Sequence, residues 1–82
     1  MASESQIKSE VERTVALYSL WTIGVTNEPV RRRIEHGSPK RWYQWNADTE
    51  TAARNVESYF IAKGMKGVPV GPGHANYVYV FL

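Results

Sequence analysis

The spacing of apolar residues changes along this chain from a helical period to a strand-like one. Ile7 and Val11 are four residues apart, which predicts a short helix over residues 3–13 with a serine as its N-cap. Residues 14–26 (TVALYSLWTIGVT) are rich in β-branched and aromatic side chains, which predicts a strand covered on both faces. Gly24 within this strand indicates a bulge or a close backbone approach.

A second helix and a second strand follow. Residues 28–36 predict a short helix with Val30 and Ile34 as its apolar stripe, and Gly37 is suited to end it. Residues 41–47 (RWYQWNA) alternate in the manner of a strand.

The remaining segments predict a longer helix, a loop and a third strand. The helix covers residues 50–63, and residues 65–76, with three glycines and two prolines, are typical of a surface loop. Residues 77–82 (YVYVFL) predict the third strand. The predicted order is therefore α-β-α-β-α-β. This order indicates the α+β class with α/β-type layering, in which about three helices flank a small three-stranded sheet.

Composition limits the class of protein further. A chain of 82 residues with 43% hydrophobic residues predicts one globular domain over residues 1–82. The absence of cysteine excludes disulfides, thiolate zinc sites and a cysteine nucleophile. Because no apolar run approaches ~20 residues, and the first ten residues do not resemble a signal peptide, we expect a soluble cytoplasmic protein without a membrane partner.

The distribution of charge indicates an anionic partner more strongly than the net charge of +2 does. Half of the ten basic residues lie within residues 31–41. They are candidates for binding nucleic acid: Arg31, Arg33, Lys40 and Arg41, together with Arg32.

One stretch of the sequence matches a known pattern. Residues 22–36 (TIGVTNEPVRRRIEH) resemble the central motif of the GIY-YIG family of nuclease domains, where a strand turns into a helix that carries a catalytic arginine. Ile23 and Gly24 take the I-G positions of the motif. The resemblance implies that Arg32 is the catalytic arginine and that His36, four residues later, is the histidine that often follows it.

The resemblance extends to the later helix. Residues 49–61 (TETAARNVESYFI) are similar to the family's helix whose glutamate binds the catalytic divalent metal. This implies that Glu57 is a ligand of Mg²⁺, for which Mn²⁺ can substitute. One carboxylate is sufficient where waters and substrate phosphate complete the coordination shell.

Two features of the sequence depart from the family pattern. Thr22 stands where the family usually has the tyrosine of Y-I-G, and the residues before it do not predict the G-I-Y strand that precedes this motif in the family. Residues 77–82 resemble that missing strand, with Tyr77 or Tyr79 in the place of the catalytic tyrosine. The resemblance then implies a circularly permuted domain, in which this strand pairs with the strand of Gly24.

Each candidate also has a purely structural interpretation. Glu57 can be a boundary glutamate paired with a nearby basic residue, Arg32 a solvated arginine, and His36 a helix-terminal histidine that interacts with the helix dipole. The tyrosines of the last strand can be core residues. The segment Trp42, Tyr43 and Trp45, which follows two basic residues, can form either a stacking surface for nucleic acid or part of the core.

Three functions remain open from the sequence. The first is a metal-dependent DNA endonuclease that acts on phosphodiester bonds. The second is a nucleic-acid-binding module without catalytic activity, which Thr22 favours, and the third is a protein-interaction domain. Because 82 residues leave no room for a separate DNA-binding domain, a nuclease of this size is expected to use a protein partner that supplies substrate binding.

Overall fold

The computed structural model describes residues 1–68 and 75–82 and has an α+β fold, as predicted. Within those residues there are three α-helices, one 3₁₀ turn and four strands. In chain order these are α1 (Glu4–Thr14), the 3₁₀ turn (Tyr18–Leu20), β1 (Thr22–Thr26), α2 (Pro29–Glu35), β2 (Trp42–Asn46), α3 (Glu50–Ala62), β3 (Lys66–Gly67) and β4 (Tyr77–Phe81).

The sheet has four strands in the order β2-β4-β1-β3, so the prediction of three strands is wrong. Strand β4 pairs antiparallel with both β1 and β2, and β3 pairs parallel with β1. Strand β3 has only two residues and lies in the segment predicted as a loop, where its short length and its glycine conceal any strand pattern. Residues 69–74 of that predicted loop lie outside the described residues.

The register of β1 and β4 determines which side chains share a face. Ile23 is opposite Val80 and Val25 is opposite Val78, and all four side chains are buried on the face that we call the core face. Because side chains alternate along a strand, the residues between them belong to the other face, which we call the site face.

Helices α1 and α3 supply the other half of the core. Ile7 and Val11 of α1 and Val56 and Phe60 of α3 are fully buried in one cluster with the core-face valines. Each such side chain contributes roughly 1.5–3 kcal/mol by leaving water. Helix α1 begins at a capping box, in which the Ser3 side chain accepts a hydrogen bond from Gln6 N and the Gln6 side chain accepts one from Ser3 N.

The predicted strand over residues 14–26 is shorter in the structure. Val15 ends α1, since its N–H donates to the Val11 carbonyl, and a 3₁₀ turn follows before β1 begins at Thr22. Leu17 and Leu20 are 61% and 55% exposed. The apolar pattern before Trp21 therefore does not belong to the sheet.

Helix α2 does not bury the stripe expected from its sequence. Val30 is 73% exposed and Ile34 is 65% exposed, whereas Arg32 and His36 are half-buried. His36 packs its ring against those of Phe81 and Tyr79, with centroid distances of 4.5 and 5.6 Å. These contacts orient the seven-residue helix and leave its two aliphatic side chains in solvent.

In the part of the chain that the structure describes, no helix combines the length and the apolarity needed to cross a bilayer.

Candidate active site

Tyr79 is the centre of the candidate site. Its side chain is fully buried on the site face and is not part of the main hydrophobic cluster. Its hydroxyl oxygen lies 3.1 Å from Nε2 of His36, and the two side chains share a hydrogen bond. Its ring stacks on that of Trp42 at 4.5 Å with an angle of 10° between the planes. The phenol is thus held from two sides by groups distant in sequence.

Gly24 provides the space for this phenol. It lies directly opposite Tyr79 in the sheet, and a Cβ atom at this position would stand 2.4 Å from the Tyr79 hydroxyl oxygen. The same atom would stand 2.5 Å from a methyl group of Val68. The sequence predicted a bulge or a close backbone approach at Gly24, whereas the groups that approach are the side chains of Tyr79 and Val68.

Arg32 brings a positive charge to the same place. Its guanidinium donates to a Glu35 carboxylate oxygen at 3.1 Å, and its side chain remains 30% exposed. Burial lowers the pKa of Arg32. Charge interactions and hydrogen bonds with Tyr79 and Glu35 raise it by more, so the pKa lies above its usual value. The arginine stays charged, and part of its fork of donors is open to solvent.

The His36–Tyr79 pair is neutral near pH 7. Burial and the nearby Arg32 charge lower the pKa of His36, and Glu35 opposes them. Burial raises the pKa of Tyr79, whereas Arg32 lowers it, and the negative charges of Glu57 and Glu35 add to the rise. A neutral imidazole can accept the phenol proton, so the pair is a short path along which a proton can move.

Glu57 is a buried carboxylate that lacks full hydrogen bonding. It is 8% exposed, and its Oε2 atom has no hydrogen-bond partner among the described residues. Burial raises its pKa, and the charge of Arg54 only partly opposes this, since Arg54 Nε donates to Glu50 at 3.1 Å. The ion pair between Glu57 and a nearby basic residue that the structural interpretation predicted is absent among the described residues, and one buried carboxylate oxygen is left without a hydrogen bond.

Glu57 is the carboxylate that the resemblance to the nuclease family implies as a metal ligand. Within residues 1–68 and 75–82 there is no group of three or more His, Cys, Asp or Glu side chains that could hold a metal. Zinc, which needs several protein ligands, does not suit such a site. Mg²⁺ keeps several waters and binds through one or two carboxylates and substrate phosphate, so it needs fewer protein ligands than zinc does.

The structure brings together most of the predicted catalytic residues. Arg32, His36 and Tyr79 surround one point, and Glu57 is near enough to influence the pKa of Tyr79. Tyr77 is on the same strand face but is opposite Thr26, two residue pairs further along the sheet than Gly24. It is therefore Tyr79 that lies beside Arg32 and His36.

The predicted nucleic-acid-binding residues fall into two groups. Arg31 lies 3.3 Å from carboxylate oxygens of both Glu28 and Glu35, so its charge is largely compensated. The others have no ion-pair partner in the described part of the chain: Arg33, Lys40 and Arg41.

Sequence reasoning missed the neighbour that covers the tyrosine. Trp42 stacks on Tyr79, and its indole N–H donates to the Gln44 side chain at 2.9 Å. The alternation of Trp42 and Gln44 in β2 placed them on one face. Only the pairing of β2 with β4 shows that this is the face of Tyr79.

Replacing Glu57 with glutamine should stabilise the fold at neutral pH. A raised pKa means that the folded chain binds this proton more tightly than the unfolded chain, so the stability that protonation provides is complete below the unfolded pKa and is lost as pH rises through the folded pKa. At pH 7 the variant should be more stable by about 1 kcal/mol. This difference corresponds to a rise of roughly 4–8 °C in Tm.

The measurement is Tm by circular dichroism between pH 3.5 and 8, with Glu12→Gln as a control on the exposed surface of α1. The higher Tm of Glu57→Gln relative to the wild type should disappear towards pH 4. An advantage independent of pH, or a loss of stability at pH 7, would contradict the burial argument.

No protein-family model, curated protein or solved structure matches this chain.

Proposed function

We propose that this chain is a metal-dependent endonuclease domain that hydrolyses phosphodiester bonds in DNA. The supporting observation is the convergence of Arg32 and His36, from α2 and its C-cap, with Tyr79 from β4 beside Gly24 of β1. The antiparallel pairing of β1 with β4 agrees with the permuted arrangement that the resemblance to GIY-YIG nucleases implies. The Oε2 atom of Glu57 has no hydrogen-bond partner among the described residues, and the charge of Glu57 is near enough to raise the pKa of Tyr79.

In the proposed reaction, Tyr79 and His36 move one proton, and Arg32 binds the negative charge of the phosphate. The Tyr79 hydroxyl donates its proton to Nε2 of His36 while its oxygen takes a proton from the attacking water, which has to enter beside the half-buried His36 because Tyr79 itself is buried. The resulting hydroxide forms a bond to phosphorus, the bond from phosphorus to the leaving oxygen breaks, and the leaving oxygen takes the proton from the His36 imidazolium through water. A neutral phenol and a neutral imidazole are the forms that this transfer requires.

Arg32 binds the phosphate on which negative charge develops. Its guanidinium offers several donors in a plane, and it is partly exposed beside Tyr79. Glu57 would hold Mg²⁺ through its free oxygen, and the bound ion would neutralise charge on the phosphate.

A nucleic-acid-binding module without chemistry is the second candidate. Thr22 favours it, because β1 carries a threonine at the position where the family usually has a tyrosine. A protein-interaction role has its own support in the exposed Val30 and Ile34 of α2, which offer an apolar surface next to Arg32. Within the first proposal, the same surface suits a protein partner that supplies substrate binding.

The test is cleavage of supercoiled plasmid, branched DNA and single-stranded DNA by the folded protein, with Mg²⁺ or with chelator. We expect cleavage with Mg²⁺ that is lost with chelator and in Glu57→Gln. Millimolar Mg²⁺ should also raise the Tm of the wild type, by mass action, and leave that of Glu57→Gln unchanged. Absence of cleavage by folded wild type on all three substrates would overturn the nuclease, and a gel shift on the same samples would then decide between the two alternatives.

A further inference from the structure

We propose that the start of β2 is a binding surface for single-stranded nucleic acid, with one unpaired base stacked on Trp42 and the adjoining phosphates bound by Arg33, Lys40 and Arg41. The inference rests on the proposed function, since it names the form of substrate that would reach Tyr79. We refer to these four residues as the strand-binding surface.

Trp42 has one ring face covered and one facing an open edge. Tyr79 covers the first at 4.5 Å, and Phe81 lies 5.6 Å from the same indole. Because β2 is an edge strand, no strand of the described sheet lies beyond the second face, and Trp42 is only half-buried. The hydrogen bond from its indole N–H to Gln44 holds the ring in this orientation. A rigid indole with a free face is a platform on which a base can stack.

The three cations gather at the same end of β2. Lys40 and Arg41 directly precede Trp42, and the Arg33 guanidinium donates to the Pro39 carbonyl at 3.1 Å, so it lies on the turn that leads into the strand. All three are exposed, and none has a carboxylate partner among residues 1–68 and 75–82. Uncompensated cations beside an aromatic platform are complementary to a phosphate backbone with unstacked bases.

The arrangement favours a single strand over a duplex. Bases in a duplex stack on each other and expose only their edges, whereas an unpaired base can present its whole face to an indole. Trp42 contacts Tyr79 directly, so a base on its outer face places the neighbouring phosphate close to the candidate site.

The experiment measures binding in chelator, so that no turnover is needed. Fluorescence anisotropy compares a labelled single-stranded oligo(dT), the matching oligo(U) and a hairpin duplex. We expect tighter binding of the single strands than of the duplex, with a steep loss of affinity at higher salt. Trp42→Leu should weaken single-strand binding about 5- to 150-fold, the range of one base–aromatic stack. Arg41→Ala should weaken single-strand binding and reduce the magnitude of the slope of log affinity against log salt concentration by about one, the effect of losing one phosphate contact.

Two matched controls lie next to the surface. Tyr43→Leu changes an aromatic residue on the core face of the same strand, and Arg31→Ala removes an arginine whose charge is compensated. Both should bind single strands almost as the wild type does. A second test uses wild-type protein and a series of oligonucleotides, each with one abasic site at a different position. It tests whether a base stacks on Trp42, and it does not depend on whether Trp42→Leu folds. We expect affinity to fall at one position only.

Equal affinity for single strand and duplex, or no response to the abasic position, would overturn this inference. Neither result tests the proposed function, because that function is tested by Mg²⁺-dependent cleavage. Conversely, single-strand binding without any cleavage would leave the strand-binding surface in place and remove the nuclease.

Discussion

Replacing Arg32 with alanine is expected to lower the rate of DNA cleavage about 10²- to 10³-fold, the usual effect of removing one donor that stabilises developing charge. Arg32 is half-buried beside Tyr79, and only part of its charge is compensated by Glu35. Substrate binding should change less than the rate, because the charge on the phosphate is greater in the transition state than in the ground state. The measurement is the single-turnover rate at saturating protein.

The adjacent Arg31 provides a matched control. It belongs to the same helix and carries the same charge, but it is more exposed and is paired with Glu28 and Glu35. Arg31→Ala should leave the rate nearly unchanged, and Arg32→Lys should recover only part of it, since lysine lacks the planar fork. Equal losses in Arg31→Ala and Arg32→Ala would show that α2 contributes general positive charge and no specific catalytic arginine.

Replacing Gly24 with alanine is expected to destabilise the fold by about 1–3 kcal/mol, the usual cost of overpacking. The added Cβ would lie 2.4–2.5 Å from atoms of Tyr79 and Val68, so at least one of them must move. Tyr79 cannot move outwards freely, because Trp42 stacks on its ring and His36 holds its hydroxyl. For a domain of this size, the loss corresponds to a fall of several °C in Tm per kcal/mol.

A double-mutant cycle identifies the cause. With Tyr79→Leu already in place, the further change Gly24→Ala should cost less, because the hydroxyl and the outer ring carbon that it meets are gone and only the Val68 methyl remains close. Chemical denaturation of the four proteins gives the coupling free energy directly. Additive costs would contradict the idea that Gly24 is required by the phenol of Tyr79.

Patterns of local sequence predicted the long elements of this fold well. Helices α1 and α3 have regular apolar spacing and a capping residue at each start, and both were predicted to within a residue or two. Strand β3 could not be predicted, because two residues that include a glycine have no periodicity. Its place in the sheet depends on pairing with β1, which is a property of the tertiary structure.

Helix α2 shows why a stripe of apolar residues is not sufficient. Val30 and Ile34 are four residues apart, and the sequence alone predicts that they face the core. In a helix of seven residues the aliphatic contacts are few, and the ring contacts of His36 with Phe81 and Tyr79 determine its orientation. The same orientation of α2 directs Arg32 towards the sheet.

The choice between Tyr77 and Tyr79 could not be made from sequence for a related reason. Both are on one face of the same strand, since they are two residues apart. The register decides, because only Tyr79 is opposite a glycine and so has space to lie flat against the sheet. The role of Glu57 as a metal ligand remains a prediction, but its burial and its free oxygen distinguish it from an ordinary surface glutamate.

The central position of β4 has a consequence for how this chain reaches its native state. Strands β1 and β2 each pair with β4, and the sheet order shows that they do not pair with each other. During synthesis, therefore, the pairing of β1 and β2 with β4 cannot form until residues 77–81 have left the ribosome, and the sheet is incomplete until then. Helices α1 and α3 can form earlier, because their hydrogen bonds are local. The candidate site, whose phenol comes from β4, is consequently among the last features to form.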